Sequence, residues 1–481
     1  MRLADLAPRY DLVIIGGGIT GAGIFREASR AGVSVLLVEA RDFASGTSSW
    51  SSKLVHGGLR YLQTGEWRLT SESVRERQRL LREAPDLVER LDFLLPCYRG
   101  VKPSRALVRM GLWLYDRFAR DAAARSQSLD VAASLAITPQ LSTHNLQGAL
   151  QYQDARTDDC RLVWRLIEQG QRDGGTALNY VRAEQLLQAQ GRTCGVVLRD
   201  AETSEMREVA ATVVINASGV WAEGLQGQGI TAPKLRPLRG SHLIYPHAHL
   251  PLPCAVSFFH PRDRRPVFAY PWQGATLIGT TDLDHREDLW SPRMTKPEAD
   301  YLLEAFDWLM PSVGLRLDEA LSCFAGVRAI VDDGDGKPSS ASRESAQWTA
   351  PGFIGITGGK LTTFRLTARQ VLMTAAKQLP GLRLVENGAP LFDRKHEESP
   401  SLVPTMQQVQ ARAGEQLHHL DDLLLRRSRA GLVLPDFAEA LIEPALAACR
   451  STLGWGDARC TQEADRYRSH MRQQHSVPAS H

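Results

Sequence analysis

Glycine spacing and a following acid set the first chemical expectation for this chain of 481 residues. Gly16, Gly18 and Gly21 stand as Gly-x-Gly-x-x-Gly, and Glu39 closes the unit. The first glycine permits a tight turn, the second lets a pyrophosphate approach the backbone, and the third lets helix and strand pack closely. The helix that begins there points unpaired N–H groups and a positive dipole end at the phosphates. Glu39 offers an acceptor to the ribose hydroxyls of an adenosine and repels an extra 2′-phosphate. The next segment, Gly46-Thr47-Ser48-Ser49-Trp50-Ser51-Ser52-Lys53-Leu54-Val55-His56-Gly57-Gly58-Leu59-Arg60-Tyr61, is small and rich in hydroxyls. It can run along a pyrophosphate and a sugar-like chain, donating O–H and N–H bonds. It also gathers Lys53, His56, Arg60 and Tyr61 beside two glycines. A surface loop is the plain alternative.

The elements needed to position these groups are present in order. Residues 12–15 are a short apolar run, suited to a strand buried on both faces. Gly32 is placed to end the helix in a left-handed conformation. Residues 33–38 read as a second strand, with Glu39 at its C-terminal end. Strand, turn, helix, strand and acid in register make dinucleotide binding a far more specific signal than the glycine spacing alone. The stretch Gly227-Gln228-Gly229-Ile230-Thr231-Ala232 matches a second fingerprint by letter, but it follows no strand and reads as a loop.

The formal net charge of +3 is too small to argue for a nucleic-acid partner. Seven cysteines, an odd number and never in Cys-x-x-Cys spacing, argue against a disulfide framework and against a metal site, and for a reducing compartment. The N-terminal residues show no signal-peptide pattern, and no run of about 18 apolar residues suggests a membrane span.

Ser52 to Leu62, with the hydroxyl-rich loop before it, resembles the FAD-dependent glycerol-3-phosphate dehydrogenases of the aerobic, quinone-linked type. The likeness continues through Gln153-Asp-Ala-Arg-Thr-Asp-Asp-Cys-Arg-Leu162, Val213-Val-Ile-Asn-Ala-Ser-Gly-Val-Trp221 and Arg239-Gly-Ser-His242. Ile278-Gly-Thr-Thr-Asp282, Ala325-Gly-Val-Arg328 and Thr357-Gly-Gly-Lys-Leu-Thr-Thr-Phe-Arg365 complete it, so it spans about residues 10–380. One departure is Ala329, where the family pattern leads one to expect proline.

The resemblance implies an α/β fold: a Rossmann-like FAD-binding domain, an inserted antiparallel-sheet substrate domain and a C-terminal helical domain. The expected division is 10–90, 150–234 and 325–380 for FAD, 91–149 and 235–324 for the substrate cap, and 385–475 for the helical tail. Within it, residues 66–91 read as a helix, 235–324 as short strands with proline and glycine breaks, and 362–379 as a helix whose N-terminus is available to the flavin.

The implied reaction is oxidation of sn-glycerol 3-phosphate to dihydroxyacetone phosphate, with a hydride passing from C2 to flavin N5 and electrons going on to a membrane quinone. Gly16, Gly18, Gly21, Glu39, Thr47, Ser48, Ser52, Lys53, His56, Ala217, Gly219, Gly359 and Thr362 would hold FAD. Arg60, Tyr61, Arg328, Arg343 and Lys360 would hold the substrate, arginine being suited because its planar fork grips phosphate oxygens and keeps its proton. His242, Lys360 and Arg328 are the catalytic candidates, with His242 or a desolvated Lys360 taking the hydroxyl proton. Residues 103–120 form an apolar stretch with arginines at 105, 109, 117 and 120. It reads either as an interfacial membrane helix, with Trp113 and Tyr115 at headgroup level, or as an ordinary packing helix. Peripheral attachment to the inner face of the cytoplasmic membrane follows from the first reading, and the resemblance also admits a homodimer. Two other functions compete: an oxidase of the same fold that releases peroxide, and a flavin-binding regulatory protein without turnover.

Overall fold

The computed structural model describes residues 2–58, 66–119, 125–225, 227, 229–332, 345–393 and 404–479. Arg60, Tyr61 and Arg343 lie outside the described residues. Leu12, Val13 and Ile14 are fully buried in strand β1 (Arg9–Ile15), because both faces of that strand are covered. Helix α1 (Ile19–Arg30) follows the glycine turn, and β2 (Val35–Val38) lies parallel to β1. The sheet order is Ala346–Ala350, Phe353–Thr357, Met206–Asn216, β1, β2 and Thr176–Leu178. Its inner pairs are parallel, and Met206–Asn216 also carries an antiparallel ribbon, Val181–Ala189 with Arg192–Asp200. Helices Asp159–Arg172 and Phe364–Ala375 pack on α1, and their Val163, Ile167, Phe364 and Val371 share one apolar core with Ile14, Phe25 and Leu37.

A second, ten-stranded sheet holds Leu54–Val55, Val88–Tyr98, Leu146–Thr157, Leu235–Pro246, Ala255–Phe259, Pro266–Trp272, Ala275–Gly279 and Ser322–Val331 among its strands. It is antiparallel apart from one parallel pair, Ala255–Phe259 with Val88–Tyr98. Alternation along Leu235–Pro246 sends Leu243 and Tyr245 to one face, under helix Lys296–Leu309, and Ile244 to the other, under the C-terminal helices. The fold is therefore the expected α/β arrangement with an antiparallel sheet and a helical tail. Three strands depart from the expected division: Leu54–Val55, most of Leu146–Thr157 and most of Ser322–Val331 were placed with the FAD unit but pair in the second sheet.

The expected helix over 66–91 is cut short. Helix α2 (Trp67–Glu83) ends at Ala84, and Val88–Tyr98 is a strand. Leu91, Phe93 and Leu95 alternate along it into one core while Leu94 enters another, a period of two that overrides helical propensity. Helix α3 (Arg105–Ala119) packs against α2. Tyr115 does not face outward as expected: it is 2% exposed, and its hydroxyl donates to Asp154 at 2.6 Å. Leu112 is likewise buried, whereas Leu107, Met110 and Trp113 are exposed.

The tail is tied to the first sheet by buried ion pairs. Asp42 receives Arg426 at 2.6 Å and Arg427 at 2.7 Å, and Arg429 meets Asp158 at 3.1 Å and also Asp159. At the end of the last helix, Asp457–His475, the His475 ring lies 5.0 Å from Trp50, and its Nδ1 donates to the Cys323 carbonyl at 3.0 Å.

Burial, helped by neighbouring His470, pushes the His475 imidazole down to about 3. The unfolded chain, with histidine near 6.5, then binds a proton that the folded chain refuses, so stability falls as pH drops from about 6.5 towards 3. The expected slope from this one group is about 1.4 kcal/mol per pH unit. His475→Asn keeps a donor for Cys323 and removes the titration. Proton uptake on unfolding at pH 5 should be about one lower in the variant; equal uptake would contradict the assignment.

Candidate active site

A cleft of about 1110 Å³ runs along the nucleotide-binding edge of the first sheet and under the second. Gly16 begins it. Its φ is +108°, and a Cβ there would lie 2.6 Å from the Ala217 carbonyl oxygen, so only glycine fits. Gly18 opens onto Ser48, whose Oγ would be 3.1 Å from an added Cβ. The Ser48 hydroxyl accepts from the Ile19 N–H at 2.9 Å and so caps the first turn of α1. Burial raises the Glu39 carboxyl above its ordinary range, while the N–H groups of Arg41 and Gly17, at 3.0 and 2.7 Å, favour the charged form. These bonds fix the carboxylate at the end of β2, facing the cleft.

The remaining expected cofactor residues divide into wall and scaffold. Ala217 and Gly219 line the cleft just past the strand Met206–Asn216, with the Gly219 carbonyl taking a bond from Thr357 Oγ1 at 2.9 Å. His56, Gly359 and Thr362 line it from the other side, and the Thr362 hydroxyl donates to the His56 carbonyl at 3.2 Å. Thr47 also lines it, its hydroxyl donating to the Val327 carbonyl at 2.6 Å and tying the hydroxyl-rich segment to the second sheet.

Lys53 is a correction. It is fully buried, and its ammonium sits 2.7 Å from the Ser49 carbonyl oxygen and 3.2 Å from Asp159, away from the cleft lining. Burial drives its pKa down to about 8 in spite of Asp159. A charge in this position needs a protein partner, so it secures the loop instead of touching a cofactor.

The cationic end is built on three glycine gaps. A Cβ at Gly240 would lie 2.4 Å from Arg328 Nη2, so the Arg-Gly-Ser-His segment leaves room for that guanidinium to cross the strand. Arg328 lines the cleft and is held by Asp282 at 3.0 Å and Thr280 Oγ1 at 3.3 Å. Asp282 also draws in Arg265, at 3.5 Å. Lys360 lines the cleft after Gly358 and Gly359, both at positive φ. Gly279 and Gly326 give the other gaps, against the His242 ring and the Trp50 carbonyl.

His242 stands behind this wall. It is fully buried, stacks on Phe324 at 4.6 Å, and places Nε2 3.0 Å from the Ser52 hydroxyl, which does line the cleft. Burial first, then the charges of Arg328 and Lys53, hold its pKa well below the ordinary value, so the ring is neutral. Sequence reasoning gave no role to Asp282 or Arg265, and it missed Trp290. Asp282 sat inside a quoted segment, but nothing in the sequence reveals which cation a carboxylate will meet.

A dinucleotide fits these residues. Gly16 and Gly18 leave an open cradle, and the Trp221 indole N–H is buried in the cleft wall without an acceptor among the described residues. The family model described as FAD dependent oxidoreductase matches residues 11–372. Over 375 residues the chain is 36% identical to the aerobic glycerol-3-phosphate dehydrogenases of Staphylococcus haemolyticus and of Bacillus subtilis, covering 77% of this chain and 67% of each relative. The structure of the glycerol-3-phosphate dehydrogenase from Bacillus halodurans complexed with FAD aligns with a TM-score of 0.78 at 26% identity, over 98% of this chain and 96% of that one. The L-alpha-glycerophosphate oxidase from Mycoplasma pneumoniae shares the fold, with a TM-score of 0.62 at 18% identity over 80% and 98% of the two chains.

Fold and cradle define an FAD-dependent oxidoreductase, and the chain belongs to that family. More narrowly, it falls among the FAD-dependent glycerol-3-phosphate dehydrogenases.

Gly18→Leu should give protein that folds without FAD, because the side chain meets Ser48 and fills the space the pyrophosphate needs. Flavin absorbance per chain after purification measures this. Full occupancy in the variant would refute the placement.

Proposed function

We propose that this enzyme oxidises sn-glycerol 3-phosphate to dihydroxyacetone phosphate and passes the electrons to a membrane quinone. The observation that carries the reading is that Arg328 and Lys360 open onto the same cleft, with Asp282 fixing the arginine. The names of the relatives point to the same substrate. FAD, when bound, supplies the hydride acceptor. Arg328 grips the phosphate of the substrate, and Arg60, Tyr61 and Arg343 remain assigned to it by resemblance. Of the two groups offered as base, His242 reaches the cleft only through Ser52, and its burial disfavours a charge. It orients the Ser52 hydroxyl. Lys360 opens onto the cleft and is the group we assign to the C2 hydroxyl proton.

Bleaching of the bound flavin by glycerol 3-phosphate under anaerobic conditions tests the reading. Removing one partner of a desolvated charge pair costs roughly 2–5 kcal/mol. At about 1.4 kcal/mol per decade, Arg328→Ala should lower kcat/KM for glycerol 3-phosphate roughly 30- to several-thousand-fold. Glycerol, which lacks the phosphate, should be a poor substrate that suffers far less. Equal harm to both alcohols would assign Arg328 to the flavin or the fold. Peroxide released in air at the turnover rate would favour the oxidase reading.

Among the described residues no helix is long and apolar enough to cross a membrane. Surface attachment fits α3 better: Leu107, Met110 and Trp113 are 51%, 62% and 56% exposed beside Arg109 and Arg117. Arg117 lies over the Trp113 ring at 4.5 Å. Such a face suits anionic headgroups over an apolar layer. Changing Met110 and Trp113 together to Ser should abolish flotation with anionic phospholipid vesicles at low salt. No flotation of the unaltered enzyme would reduce α3 to a packing helix.

A further inference from the structure

One aromatic contact joins the two sheets across the cofactor cleft, and no step of the reaction above uses it. Trp221 follows the first-sheet strand Met206–Asn216, on the short helix Gly219–Gly224. Trp290 stands on the loop that leaves the second sheet after Leu283–Asp284. Their rings stack with centroids 4.2 Å apart at 27°. Both line the cleft. Arg41, two residues past Glu39, places its guanidinium carbon 4.2 Å from the Trp290 ring centroid and donates to the Trp290 carbonyl at 3.2 Å. Arg41 itself is not part of the lining, so it backs the indole from outside.

The position of the stack follows from its neighbours. Gly46 lies against the Trp221 ring, 3.0 Å from where a Cβ would stand, and Gly46 leads into Thr47 and Ser48, the latter capping α1. Trp290 is tied through Arg41 to the turn after Glu39. The indole pair therefore spans the stretch between the ribose acid and the pyrophosphate turn. Its buried Trp221 N–H, without an acceptor among the described residues, is a donor available to a bound ligand there.

The loop carrying Trp290 is itself anchored. The His285 N–H donates to the Pro237 carbonyl at 2.9 Å, Arg236 holds Asp284 at 2.5 Å, and the Trp290 N–H donates to Asp288 Oδ1 at 3.0 Å. Trp290 is thus held in place by the second sheet while it closes on the first.

We propose that Arg41, Trp290 and Trp221 form a clasp over the adenosine–pyrophosphate half of bound FAD, and that Trp290 is a positioning residue that sets how fast the cofactor leaves. FAD enters or leaves when the indole pair parts, so release is slowed by the stacking and cation–π contacts that must break first.

Release of FAD from the diluted holoenzyme, followed by the rise in flavin fluorescence, tests this. Trp290→Ala should release FAD roughly ten- to a hundred-fold faster, equivalent to about 1.4–2.8 kcal/mol. Trp290→Phe, which keeps a ring in the stack, should stay within roughly threefold of the unaltered enzyme, and Arg41→Gln should fall between. Unaltered release from Trp290→Ala overturns the proposal, as does a release that Phe fails to restore. Should Trp290→Ala not fold, Arg41→Gln decides: FAD release at the original rate overturns the clasp.

Discussion

Buried charge sets the terms for the rest of this structure. Asp42, Asp158 and Asp159 lie in or beside the nucleotide-binding half, and none can stay ionised in an apolar interior without a cation. Their cations come from the far end of the chain: Arg426 and Arg427 for Asp42, Arg429 for Asp158 and Asp159. Burial pushes the Asp42 carboxyl up, but Arg427 and Arg426 outweigh it and hold the group below its ordinary range. Breaking such a pair by removing one partner costs about 3–5 kcal/mol, because the other charge remains desolvated. The tail is accordingly part of the cofactor site's foundation.

That foundation reaches the cleft in two short steps. Asp159 accepts from the Ser51 hydroxyl at 2.6 Å and from the Lys53 ammonium at 3.2 Å, which pins the hydroxyl-rich segment along one wall. Asp42 fixes the turn after Glu39 on the other. His475 supports Trp50 from behind, and Trp50 in turn lies in the lining. The hydroxyl-rich segment, the turn after Glu39 and the C-terminal helices are joined by contacts that are individually ordinary and collectively leave the cleft one shape.

The end of the cleft that carries Arg328 follows a different rule. Arg328 is only partly buried and shares Asp282 with Arg265, so its guanidinium is held in one orientation at the cleft. A preorganised guanidinium of this kind can meet a phosphate without first ordering a flexible side chain. His242, by contrast, is kept neutral by depth and by the charges of Arg328 in the cleft and Lys53 behind it. Positive charge on both sides of the ring therefore disfavours a protonated imidazole there.

The linear sequence determined the glycine turn, the flanking strands and Glu39, because these depend on local backbone conformation and on contacts within one short unit. It determined the antiparallel character of the middle of the chain, through alternation and breaks, and its resemblance to the family singled out Arg328 and Lys360, which both line the cleft. It did not determine where α2 stops, since the strand Val88–Tyr98 forms only when partners such as Leu146–Thr157 lie beside it. Nor did it separate Lys53 from the cofactor residues around it: that required Asp159, 106 residues away, and the burial both share. Tyr115, Asp282 and Trp290 took their roles from distant neighbours as well. Tertiary structure alone decided these, because whether a polar or aromatic side chain faces a ligand, a lipid or a buried partner depends on what the fold brings within about 3–4 Å of it.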